Sequence, residues 1–339
     1  MYKQIIGFLT LLSLAALPQW SIAKEVNVYS ARKEALILPL LDQFSEKTGI
    51  KVNLITGKAD ALIVRMANEG KFSPADILLT TDVGRLVRAK SQGLTQAYAS
   101  PSAAKNIPLH LQDSEGHWVG LTLRARPFMV APDRVNATKL TSLEDLASPQ
   151  WKGKLCVRSS GNIYNQSMVA ALIQQLGEEK TMSIIQGLVA NFARPPMGGD
   201  RDQIKAVAAG QCDVAIANTY YLAGMLSGSD PSETAAASKV AVVWPNQQDR
   251  GAHVNISGAA IARYAKNTVE AQTLIDFMMS KEAQAWYAET NFEYPVRKDV
   301  HKSGVLTSFG DFKSEKIPLE KVGELNATAL KLMDKAGWK

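Results

Sequence analysis

Histidine and cysteine are scarce in this chain, four and two among 339 residues. His110, His117, His253 and His301 are scattered, with no spacing that would place two of them on one metal ion. No HExxH, GxSxG, P-loop or GxGxxG pattern occurs, so the commonest hydrolase and nucleotide-binding chemistries lack their signatures. The net charge is +6, yet no block of five basic residues appears, which argues against a nucleic-acid stripe. Beyond residue 23, no stretch reaches the ~20 apolar residues that a membrane-spanning helix needs. Repeats and low-complexity linkers are missing as well. What remains is 46% hydrophobic and 21% charged, a globular composition long enough for two domains or one large one.

The first 23 residues are of another kind. Lys3 precedes an apolar run over 5–17, no charge follows until Lys24, and Ser21-Ile22-Ala23 has the small-x-small form that signal peptidase accepts. This reads as a cleavable signal peptide, too short and wrongly flanked for an anchor. No cysteine near the cut offers a lipid attachment point. Export places Cys156 and Cys212 in an oxidising compartment, where a single disulfide is the favoured reading. Two buried thiols or a metal pair are the alternatives, the latter without CxxC spacing.

From residue 25 the chain alternates short apolar runs with helical periodicity. Strands are expected at 25–29, 50–55 and 75–80, and helices at 34–48, 59–69 and 83–92, with Gly49, Gly70 and Gly93 as stops. The pattern restarts with an extended stretch over 119–130 and strands at 154–157, 214–217, 240–244 and 256–262. Helices are expected at 165–175, 178–190, 202–209, 269–287 and 319–335. This order predicts an α/β protein of two lobes, each a mainly parallel sheet flanked by helices, with a ligand cleft between them. The expected first lobe is 24–122 plus about 250–300, and the second is 123–249 plus about 301–339. Crossing segments near 119–130 and 244–260 would join them.

Candidate ligands follow from strand ends. Tyr220 and Tyr221 come directly after the apolar strand 214–217, and Tyr164 follows Ser159-Ser160-Gly161-Asn162 between a strand and a helix. Backbone amides at such a corner favour anions. Arg32 ends the first strand, and Arg124 lies on the first crossing segment, with Arg126 two residues on. Taken alone, a tyrosine pair serves packing as readily as ligation. The acid pairs Asp200 with Asp202 and Glu178 with Glu179 read as structural groups in loops or on solvated helix faces.

These residues resemble a known family, the periplasmic ferric-iron-binding proteins of bacterial ABC importers. The likeness runs through 26–32, Phe72-Ser73-Pro74-Ala75-Asp76, Trp151-Lys152-Gly153-Lys154, 158–165 and 215–221. It implies a type II-like periplasmic binding protein with no enzymatic activity. In its three-tyrosine branch, Tyr164, Tyr220 and Tyr221 would bind Fe(III), and Arg32 with Arg124 would hold a synergistic carbonate. A second branch adds His and Glu ligands from the first lobe; this chain has Arg32 and Lys33 there, and Thr81 after the third strand. The resemblance further implies a periplasmic monomer serving an inner-membrane permease and ATPase. Phenolate is a hard anionic donor suited to Fe(III), and three phenolates cancel its charge as two guanidiniums cancel carbonate. Thiamine, a phosphonate or a polyamine would be the alternative cargo on the same fold. A secreted hydrolase is disfavoured by the lack of a nucleophile and base pair.

Cleavage after Ala23 is expected, so intact-mass analysis of an osmotic-shock fraction should find a chain starting at Lys24. A chain retaining residues 1–23 in that fraction would contradict the reading.

Overall fold

The computed structural model describes residues 24–302 and 304–339; the expected signal peptide lies outside them. Among the described residues, eleven strands are formed: β1 Glu25–Ser30, β2 Lys51–Thr56, β3 Ile77–Thr81, β4 Thr95–Gln96, β5 Val119–Ala125, β6 Phe128–Val130, β7 Leu155–Cys156, β8 Val214–Ile216, β9 Ala241–Val243, β10 Val254–Ala262 and β11 Tyr294–Pro295. The first sheet has the order β11-β5-β10-β3-β1-β2, with β4 also on β10, and the second has the order β7-β8-β6-β9. The two-lobe α/β architecture is therefore as expected. The sheets, however, are mixed rather than mainly parallel. β1 pairs in parallel with β2 and β3, and β7 with β8, whereas every described pairing of β5, β6 and β10 is antiparallel. Those are the strands beside the crossings, where the chain leaves one sheet and returns to it in the opposite direction.

The extended stretch over 119–130 is two strands in two sheets. Pro127 separates them: it has no N–H to continue the β5 ladder, and it holds the residue before it in an extended conformation. The return crossing runs from β9 to β10. Arg126 N donates to His253 O at 3.0 Å, so the two crossings are tied to each other between the lobes. Helix 34–48 resolves into a 3-10 turn, Glu34–Leu36, and a helix, Leu38–Thr48, with Pro39 in its first turn and Gly49 ending it at φ 70°. Only glycine enters that left-handed region at little cost. The expected long helix over 269–287 is instead two, Thr268–Met278 and Lys281–Thr290, because the Ser280 hydroxyl caps the second by accepting from Ala283 N. The C-terminal segment is likewise two helices, Leu319–Glu324 and Asn326–Lys335. The first packs on both Val83–Ser91 and Ile163–Leu176, and so straps one lobe to the other.

Buried aliphatic faces of β1, β3 and helix Leu38–Thr48 form the first core (Val26, Val28, Ile77, Leu40, Phe44). In the second lobe, Met129, Ala215 and Ile204 pack around the bridged pair Cys156–Cys212, whose Cα atoms are 5.9 Å apart. Among the described residues, no helix is long and apolar enough to cross a membrane.

The bridge closes a span of 56 residues and should add roughly 3–4 kcal/mol by restricting the unfolded chain. Denaturant titration of the reduced, thiol-blocked protein should show about that loss. Because the bridge sits within the second lobe, ligand binding should survive at temperatures where both forms are folded.

Candidate metal centre

The three tyrosines stand at the starts of two helices that follow neighbouring strands of the second sheet. After β8, Ala217 completes the buried apolar run and Asn218 turns the chain into the helix Thr219–Leu226, which carries Tyr220 and Tyr221 in its first turn. After β7, the segment 157–162 leads into Ile163–Leu176, with Tyr164 in its first turn. Arg124 reaches them from β5 of the first sheet.

Arg124 Nη2 donates to the Tyr164 hydroxyl at 3.3 Å and also to that of Tyr220. Its guanidinium carbon lies 4.9 Å and 4.4 Å from the centroids of those two rings. Tyr221 packs on Tyr220 with centroids 4.3 Å apart, and Asn218 Nδ2 donates to Tyr220 Oη at 3.2 Å. The structure thus brings together Tyr164, Tyr220, Tyr221 and Arg124. Arg32 is joined to the group through another residue, Glu293. Arg32 Nη2 donates to Glu293 Oε2 at 2.6 Å, and Arg124 Nε lies 3.5 Å from Glu293 Oε1. Arg32, Arg124, Tyr220, Tyr221, Thr81 and Glu293 all line one cavity of 330 Å³.

Arg126 faces a different set. Its Nη1 donates to Asp200 and Asn218, and its Nη2 to Asn165, at 2.8, 2.9 and 2.6 Å. Asp200 also receives Arg158 Nη1 at 2.6 Å and the Asn218 backbone N–H at 3.0 Å. Asp200 is structural, as its sequence suggests, but the expected solvated position is wrong: it is 1% exposed and neutralised by two guanidiniums. Asp202 instead accepts from Gly199 N at 2.6 Å at the start of its helix.

Glu293 was missed from sequence. It is 3% exposed and accepts from Ser257 Oγ at 2.9 Å and from the Thr122 hydroxyl, in addition to Arg32. The one signal for it was a lone acid between two aromatics in Phe292-Glu293-Tyr294, next to a strand-like run. Burial by itself would raise its pKa, but Arg32, Arg124 and the hydroxyl donors outweigh that and hold it near 2. The tyrosines diverge for related reasons. For Tyr164, burial is overcome by Arg124 and by hydrogen bonds with Tyr220, Arg124 and Thr81, bringing it down to about 8. Burial, together with the neighbouring Tyr164 and Asp200, pushes Tyr221 up to about 12. Burial raises Tyr220 well above the ordinary phenol value, against the opposing pull of Arg124.

Among the described residues, no cluster of three His, Cys, Asp or Glu side chains could hold a metal ion. The oxygens gathered around Arg124 are phenolic, a donor set that suits a hard, highly charged cation whose binding would displace protons.

Fold and site together define a two-lobed binding protein with an interlobe cleft, and the chain belongs to the bacterial extracellular solute-binding protein family, whose model matches residues 72–308. It is 45% identical over 316 residues, 93% of this chain and 88% of the relative, to iron uptake protein A1 of Synechocystis sp.. It is 46% identical to a Trichodesmium IdiA (FutA) structure in complex with iron and citrate, with a TM-score of 0.91 over 93% of this chain and all of the other. Mannheimia haemolytica ferric iron-binding protein A in an open conformation is 43% identical, with a TM-score of 0.87 over 93% of this chain and 99% of its own.

Phenolate absorption followed against pH should show one tyrosine ionising at about 8, ahead of the others. Tyr164→Phe should remove that early step. If the step persists in the variant, the assignment is wrong.

Proposed function

We propose that this protein captures Fe(III) in the periplasm through Tyr164, Tyr220 and Tyr221, with a carbonate held by Arg32 and Arg124. It then delivers the ion to an ABC importer of permease and ATPase subunits. The observation that carries this reading is the convergence of two phenol oxygens on the Arg124 guanidinium, with the third tyrosine packed at a tilt beside them in a cleft between lobes. Relatives named for iron uptake and ferric binding support the same cargo. The signal-like N-terminal sequence and membership of an extracellular solute-binding family support a location outside the cytoplasm.

The chemistry follows from charge. Three phenolates neutralise Fe(III), and the buried arginines supply the attraction for an anion that completes the coordination. Arg124 also reduces the cost of ionising its phenol partners, most visibly at Tyr164. The tyrosines come from the second lobe, Arg124 from β5 of the first sheet and Arg32 from the bend that follows β1, so the ion and its anion join the lobes and favour closure. A binding role without catalysis is supported by relatives named as iron uptake and iron-binding proteins. Thiamine is poorly served, because the Tyr220 ring already packs against Tyr221 and Arg124.

Tyr220→Phe and Tyr221→Phe should each abolish the ferric–phenolate colour and weaken iron binding by orders of magnitude, with the circular dichroism spectrum unchanged. Full-strength colour in both variants would refute the reading. Arg32→Ala should be milder, raising the bicarbonate needed for half-saturation. Acid should release the metal. Below pH ~8 all three phenols are largely protonated, so binding displaces about three protons, and affinity should fall about a thousandfold per pH unit.

A further inference from the structure

We propose that Glu293 sets the charge of the anion that accompanies the metal, so that the cleft takes the carbonate of that reading in its singly charged, hydrogencarbonate form. This inference rests on the ferric reading above and concerns a residue outside its ligand set.

Glu293 faces the same cavity as Arg32 and Arg124, is 3% exposed, and touches both guanidiniums. Thr122 and Ser257 direct their hydroxyls at the oxygen that also receives Arg32. A carboxylate given only donors in a buried place is held as the anion. The buried positive charge facing the ligand is therefore one unit, not two. Arg32 keeps part of its fork for the cleft, but one arm is already committed to Glu293.

The other basic groups on the cavity wall do not alter that count. Lys33 is exposed, and Arg201 is 43% exposed and already paired with Glu233. Water and salt screen both. With Fe(III) balanced by three phenolates, a monoanion brings the groups facing the cavity to neutrality; Arg126 and Arg158 are held on Asp200 outside its lining. A dianion would leave an uncompensated charge in the closed cleft, a costly arrangement at low dielectric. The specificity lies in this charge balance rather than in shape, since 330 Å³ admits anions much larger than carbonate.

The test uses the mature full-length protein loaded with Fe(III) in bicarbonate-free buffer, with malonate or monomethyl malonate as the anion. These share a skeleton and differ by one charge. Half-saturating concentrations are read from the ferric–phenolate band, and the malonate-to-monoester ratio is compared between proteins. Glu293→Gln should shift that ratio about tenfold or more toward malonate. Arg32→Gln removes a positive charge and should shift it as far the other way. The double variant has the wild-type net charge and should return the ratio to near the wild-type value. A Glu293→Gln protein that folds but weakens both anions equally, with the ratio unmoved, shows a purely structural role and overturns the inference. Should that variant fail to fold, an unmoved ratio in Arg32→Gln overturns it equally. Absence of the band in wild type defeats the ferric reading and this inference with it, whereas a normal wild-type band with unmoved ratios defeats this inference alone.

Discussion

The site is built around one buried carboxylate that is not itself a ligand. Asp200 accepts from Arg126, next to the first crossing; from Arg158, at the entry to the Tyr164 helix; and from the backbone of Asn218, at the entry to the Tyr220–Tyr221 helix. Arg126 extends the tie through Asn165 and the Asn218 side chain. Each tyrosine-bearing segment is thereby positioned against the same group. Burying such a charge is costly on its own, and removing one partner of a buried pair costs several kcal/mol. That penalty is what keeps three separate stretches of chain in one arrangement.

On this frame the two lobes contribute unlike chemistry. The second sheet leads into phenols, two of which, Tyr220 and Tyr221, are held protonated by burial. The first supplies permanent positive charge on Arg32 and Arg124, with Glu293 between them. Neither half is a complete binding site. On the proposed reading, a cation on the phenols and an anion on the arginines would be shared across the cleft, and the paired crossings at Arg126 and His253 are the place about which such sharing would move the lobes.

Much of this was legible in the chain itself. Apolar runs of four to eight residues, glycine stops and strand-end tyrosines located most elements and the phenols, because these follow from local periodicity and from the short span between a strand and the next helix turn. Element breaks were harder. One hydroxyl at Ser280 ends what periodicity reads as a single helix, and Pro127 turns one extended stretch into two strands of different sheets. Strand direction was also misjudged, since alternation of strand and helix does not reveal which strands flank a crossing.

The sequence by itself determined the two-lobe class and the strand-end positions of the three tyrosines, because each depends on residue type and near-neighbour spacing. Only the tertiary structure decided what surrounds them. Residues separated by 261 positions, Arg32 and Glu293, form a buried pair, and Arg124 rather than Arg126 meets the tyrosines. Nothing in local pattern separates two arginines on one extended stretch or marks a distant glutamate as a partner. Those choices are made by burial, which leaves each charge only the counter-charge that folding brings within reach.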